Sequence, residues 1–145
     1  QWQTLFLIYG MLGIGLAMEK TGATVFVVSA VMHELMWLSP WLLLSMLFLL
    51  TSVFTQFLSN NAVAVLLTPI AVHLAETVGV DARPFVIAVA IGASACFATP
   101  LGYQTNTLVY AAGGYRFRDF LRIGLPLNLI VWLLGSALIP WLWPF

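Results

Sequence analysis

Ser59-Asn60-Asn61-Ala62 sets three consecutive polar residues inside an apolar run. Pro40 to Leu58 before it is dense in Leu, Met, Phe and Trp, and Val63 to Ala75 after it is apolar again. Hydrocarbon cannot satisfy free backbone N–H and C=O groups, and each one left unpaired there costs several kcal/mol, so such a break must be buried in protein or line a cavity. The stretch therefore reads as a candidate binding site at membrane depth.

Composition sets the class. Of the 145 residues 62% are hydrophobic and 7% charged, with a mean hydropathy of +1.03, whereas a soluble domain carries about 25% charged residues. This describes an all-α integral membrane protein. Acidic and basic residues cancel to zero net charge and fall mostly between the apolar runs, which leaves no nucleic-acid-binding face. Cys96 is the single cysteine, so no internal disulfide is possible. The first residue is Gln1 rather than Met and no charged leader precedes the first apolar run, so a fragment is expected, with the aromatic end Pro140 to Phe145 as the natural C-terminus.

Working outward from the break, the apolar periodicity predicts five segments in one membrane domain, 1–145. A helix over 4–18 carries Gly10, Gly13 and Gly15, small residues that admit a neighbouring helix. Residues 23–38 contain Thr24, Ser29, His33 and Glu34 and end near Trp37 and Trp41, which fits an amphipathic surface helix. His33 and Glu34 project in different directions and read as water-facing rather than metal-binding. Residues 40–76 form a hairpin around the Ser-Asn-Asn break. In its first arm Ser52 follows Ser45 by seven residues, and Thr55, Gln56 and Ser59 follow Ser52 by three, four and seven, so these polar residues share one helix stripe leading to the break. The returning arm, about 15 residues with Pro69 inside it, is short for a crossing, so the hairpin is expected to be re-entrant.

A second break follows. The segment 84–113 starts at Pro84 and is interrupted at Thr99-Pro100-Leu101-Gly102-Tyr103-Gln104-Thr105-Asn106. Pro100 removes a donor and disfavours helical geometry at Thr99, while Gly102 permits unusual dihedrals, so a broken helix is expected with 99–106 unwound and facing the hairpin tip. The loop 113–122 holds Arg116, Arg118 and Arg122 against Asp119, which places it in the cytoplasm. The final helix, 120–143, then ends outside at Trp141 and Trp143, and the hairpin mouth near Pro84 also faces outside.

Two converging breaks expose helix N-termini suited to anions, and carbonyls and helix C-termini suited to cations. Ser59, Thr99, Thr105 and Thr107 add hydroxyls, and Asn60, Asn61, Gln104 and Asn106 add amides. Neither stretch contains Asp, Glu, His or Cys, which argues against a transition-metal centre and favours a hard cation such as sodium together with an oxyanion.

These residues carry a resemblance. Ser59-Asn60-Asn61-Ala62 with Leu67-Thr68-Pro69-Ile70, then Thr99 to Asn106, then Gly113-Gly114-Tyr115-Arg116-Phe117, is similar to the C-terminal repeat of the divalent anion:sodium symporters, the citrate-transporter-like permeases. The resemblance implies half of an inverted-repeat, elevator-type transporter in a bacterial inner membrane. Its partners would be the N-terminal repeat of the same protein, the bilayer and a second copy in a homodimer. It further implies that Ser59, Asn60, Asn61, Thr99 and Pro100 border a small anionic substrate, and that Ser59, Asn60, Thr99, Gly102, Thr105 and Asn106 border the cation. Sodium is the coupling ion on this reading, at Asn60, Thr105 and Asn106, with no other cofactor. In that family the tip commonly reads Ser-Asn-Thr, so Asn61 is a departure, as is Leu101-Gly102 after Thr99-Pro100; sulfate and a dicarboxylate both stay open as substrate.

An ion channel and a non-transporting structural subunit are the alternatives. An intramembrane hydrolase would have to pair Ser59 with His73, fourteen residues on, about 21 Å along a straight helix. No third group completes that pair, so the chain is not expected to be an enzyme.

Overall fold

Proline opens two of the central helices. Pro40 and Pro84 lie in first turns, where a backbone N–H has no intrahelical acceptor to lose. A computed structural model describes residues 6, 9, 10, 13, 16–18 and 20–145. Among them six helices are bounded: α1 (Ala23–Glu34), α2 (Pro40–Phe54), α3 (Asn60–Val78), α4 (Arg83–Ser94), α5 (Gln104–Gly113) and α6 (Phe117–Leu142). No strand occurs among the described residues. The helix expected over 4–18 lies largely outside them, and residues 6, 9, 10, 13 and 16–18 are helical.

Several bounds differ from the sequence expectation. α1 ends at Glu34 rather than reaching 38, and its outward residues Phe26, Val27 and Val31 are exposed and apolar. It lacks the polar face of the amphipathic helix expected, because Thr24 is buried while apolar side chains share the exposed side with Ser29, His33 and Glu34. α3 has 19 residues, since Asn60 and Asn61 form its first turn and Pro69 does not stop it. α6 starts at Phe117, ahead of position 120, where Asp119 Oδ2 accepts from the Arg116 backbone N at 2.8 Å. By length and apolarity α3 and α6 could each cross a bilayer.

α2 is the centre of the bundle and packs against α4, α6, α3 and α1. Its Leu43, Leu44, Leu47 and Phe48 are fully buried with Val63 and Leu67 of α3, Phe85 and Val89 of α4, and Val28 and Met32 of α1. Lipid is as apolar as these side chains, so close packing and interhelical hydrogen bonds hold such a bundle together. The bonds join α2 to α6: Trp41 Nε1 donates to Ser136 O at 2.7 Å, Trp132 Nε1 to Ser45 O at 2.9 Å, and the Ser45 and Ser136 hydroxyls lie 2.9 Å apart. The far side of α6 presents Ile123, Leu125, Leu133 and Leu134 outward, as a lipid-facing helix does.

Candidate functional site

The polar stripe of α2 meets the end of α4. Thr55 Oγ1 donates to Ala93 O at 2.6 Å, Ser52 Oγ to Ala95 O at 3.3 Å, and Gln56 Nε2 to the same Ala95 oxygen at 3.0 Å. A continuing helix would offer those carbonyls to the N–H groups of Phe97 and Thr99. Gln56 Oε1 meanwhile accepts from Ala98 N at 3.1 Å, a donor that would otherwise serve Ser94 O. Pro100 has no N–H for Cys96 O, which instead accepts from Asn106 Nδ2 at 2.8 Å. The helix therefore stops at Ser94 because side chains take its backbone groups.

This moves both breaks upstream of their expected positions. The chain is non-helical over 95–103, not 99–106, and Gln104, Thr105 and Asn106 begin α5. The hairpin turn spans 55–59, with Asn60 and Asn61 already helical and Ser59 capping α3 by accepting from Ala62 N at 3.3 Å. Polar residues suit a turn and a first helical turn equally, since both leave backbone N–H groups free. Cys96 consequently lies inside the second break, contrary to the expectation that neither break holds a cysteine. It is buried, with Sγ 3.7 Å from Gln56 Oε1 and 4.0 Å from Thr99 Oγ1.

The expected site residues divide into two groups. Thr99 is buried and reaches the tip, its hydroxyl donating to Gln56 O at 2.6 Å. Pro100 is buried and its carbonyl accepts from Thr107 Oγ1 at 2.5 Å. Gly102 marks the closest approach: a Cβ there would overlap Thr55 O and lie 2.6 Å from Cys96 Sγ. Asn106 spans the break, its amide nitrogen bonding Cys96 O and, at 3.3 Å, Thr99 O, which leaves Oδ1 for a ligand. Ser59, Asn60 and Asn61 make no hydrogen bond to 95–106 among the described residues; Asn60 Oδ1 accepts from Asn61 N at 2.9 Å. Thr105 is exposed and its side chain has no bonded partner among them. A cavity of about 340 Å³ adjoins the break, lined by Asn106, Phe97, Val109, Phe120 and Ile123, and it does not include Asn60.

Gln56 is the residue that sequence reasoning passed over. The signal was its place on the stripe, but nothing in the sequence told a ligand-facing amide from one bonding backbone. His73 lines a separate cavity with His33, and Ser59 is not part of it.

The hairpin turn and the second break each separate one helix end from the next helix start. α2 and α4 bring the partial negative charge of their C-termini, while α3 and α5 begin a few residues further along each strand with free N–H groups. Apart from the buried Cys96 thiol, every atom offered is a carbonyl, hydroxyl or amide oxygen, or an N–H donor, which fits a hard cation beside an anion. Paired interruptions within an apolar helical bundle are an arrangement by which membrane transporters hold ions and substrates. The sequence profile of the citrate transporter family matches residues 1–92, and the chain belongs to that family. It is 42% identical over 139 residues to an uncharacterized transporter of Synechocystis sp. and 41% identical over 144 residues to an uncharacterized transporter of Escherichia coli. Those matches cover 96% and 99% of this chain. It is 33% identical over 139 residues to a probable sodium/sulfate cotransporter of Chlamydomonas reinhardtii, covering 94% of this chain and 15% of that protein. The chain spans about a quarter of the first two relatives, 23% and 24% of their lengths.

Proposed function

We propose that this chain is the C-terminal repeat of an elevator-type secondary transporter that couples sodium to the uptake of a small divalent anion, sulfate or a dicarboxylate. The observation that carries the reading is the joint at Thr55, Gln56, Ala95 and Thr99, where a hairpin turn and a broken helix are bonded together inside an apolar bundle. Carbonyl-rich helix ends suit sodium and N–H-rich ends suit an anion. Ser59, Asn60, Asn61, Thr99 and Pro100 would border the anion; Ser59, Asn60, Thr99, Gly102, Thr105 and Asn106 would border the cation. The name of the family and the similarity to a sodium/sulfate cotransporter support the ion and the anion class.

On this reading the hairpin over 40–76 is re-entrant. The first arm carries that reading rather than the 19-residue α3: the 15 residues of α2 give a helix of about 22 Å, short of the roughly 30 Å hydrocarbon core. An inverted N-terminal repeat completes the cavity, two protomers form a homodimer in a bacterial inner membrane, loop 113–122 is cytoplasmic and the C-terminus is outside. Proteoliposomes holding the full-length protein test the proposal with labelled sulfate, succinate and citrate, with and without a sodium gradient. Sodium-dependent accumulation of one of them is expected. Conductance without coupling would assign a channel, and neither transport nor conductance would assign a structural subunit.

A further inference from the structure

We infer that Gln56 is the positioning residue that fuses the hairpin turn and the broken helix into one unit and thereby sets the cation affinity, an inference that rests on the transport reading above. Gln56 is 6% exposed. Its amide nitrogen donates to Ser52 O at 2.8 Å and Ala95 O at 3.0 Å, and its amide oxygen accepts from Ala98 N at 3.1 Å and faces the Cys96 thiol at 3.7 Å. Its own carbonyl accepts from Thr99 Oγ1. A primary amide has two donor hydrogens and two acceptor lone pairs, and all four are engaged by protein. Gln56 therefore cannot ligate an ion without releasing a buried partner.

Its chemistry instead decides where other oxygens sit. Three of its contacts fall on the Ala95 carbonyl, the Ala98 N–H and the Thr99 hydroxyl, none of which has a helical partner, so Gln56 replaces the missing turn in fixing that backbone. Few other side chains fit. Ionised Glu is acceptor-only and would set its charge against the Ser52 and Ala95 carbonyls, whereas protonated Glu keeps one donor and an acceptor. Met matches the length and makes none of the bonds. Among the described residues the Cys96 thiol is the only titratable side chain bonded to Gln56, with no carboxylate, His, Lys or Arg on it.

The test uses full-length protein in proteoliposomes, with Gln56→Met and Gln56→Glu beside the wild type. Sodium-dependent uptake is one readout, and the rate of N-ethylmaleimide labelling of Cys96, followed by peptide mass spectrometry, is another that needs no transport. Gln56→Met should label Cys96 about tenfold faster and raise the half-maximal sodium concentration by a similar factor, the scale set by losing a buried hydrogen bond. The half-saturating anion concentration, measured at saturating sodium, should stay near the wild-type value. Gln56→Glu should approach wild-type uptake at acid pH and fall below it as pH rises, each point taken relative to wild type at that pH. If the wild type transports none of the anions, the transport reading fails while the labelling rates still decide the clamp. Wild-type labelling and sodium dependence in Gln56→Met would overturn the inference. Should Gln56→Met not reach the membrane, a Gln56→Glu variant without the pH profile would overturn it equally.

Discussion

Gly124 of α6 lies directly against the unwound backbone, and its replacement by alanine tests how tightly that backbone is held. A Cβ at Gly124 would overlap the carbonyl oxygen and carbon of Phe97 and crowd the Ala98 Cα. These are main-chain atoms and cannot rotate aside. Two effects compete: alanine in a helix interior is favoured over glycine by about 1 kcal/mol, while overpacking costs about 1–3 kcal/mol. A shift of Ala98 also strains its 3.1 Å bond to Gln56, and a buried donor left unsatisfied costs about 1–3 kcal/mol more. The overpacking and hydrogen-bond terms outweigh the propensity gain, so Gly124→Ala should be destabilising by about 1–5 kcal/mol. Gly135→Ala is the comparison, because a Cβ there meets side-chain rather than main-chain atoms, the edge of the buried Phe48 ring at 2.6 Å. Thermal unfolding of full-length protein in detergent should show a drop of several degrees for Gly124→Ala and a smaller drop for Gly135→Ala. Sodium should restore part of the lost stability if the ion binds the same segment. Equal melting curves for Gly124→Ala and wild type would refute the close contact and the rigidity of residues 97–98 that is drawn from it.

Asn60→Ala should cut sodium-dependent uptake at least about tenfold with little loss of folded protein, since its side chain bonds only the neighbouring Asn61 backbone; wild-type affinity for both cation and anion would remove Asn60 from the site. Thr105→Val should raise the half-maximal sodium concentration without lowering the melting temperature, because its hydroxyl has no protein partner among the described residues. Asn106→Leu should do both, as it also removes the bonds to Cys96 O and Thr99 O; unchanged sodium dependence in both variants would leave the cation to the hairpin turn. A cysteine at exposed Tyr115 should resist an impermeant thiol reagent added to intact cells and react after permeabilisation, and immediate labelling from outside would invert the topology.

The helical, membrane-embedded class was legible because composition and hydropathy are summed over the whole chain and no tertiary contact can reverse them. The existence of two interruptions was legible for a related reason: Ser59-Asn60-Asn61 and Pro100 with Gly102 disturb an apolar run locally. Their positions were not. Ala95-Cys96-Phe97-Ala98 itself has no helix breaker; Pro100 denies Cys96 O its donor, and the rest of the unwinding depends on Thr55, Ser52 and Gln56, about forty positions away. Likewise α3 was expected to be shorter because Asn60 and Asn61 read as turn residues, although a first helical turn leaves the same N–H groups unpaired and accepts them.

A polar residue at membrane depth looks the same in sequence whether it meets a ligand or its own protein, and only the partner count separates the two. Ser45, Ser52, Thr55 and Gln56, which make the stripe visible, all bond protein atoms: Ser136, Ala95, Ala93 and the 95–98 backbone. Releasing any of them to an ion would expose a buried carbonyl or N–H, a cost comparable to the bond gained. Asn61 and Thr105, by contrast, have side chains with no partner among the described residues, and Asn60 has a single local one. The stripe is therefore best understood as the scaffold that unwinds α4 and fixes its carbonyls. On the transport reading proposed above, the side chains free to exchange water for cation and anion are those at the starts of α3 and α5, where the helix N–H groups are free as well.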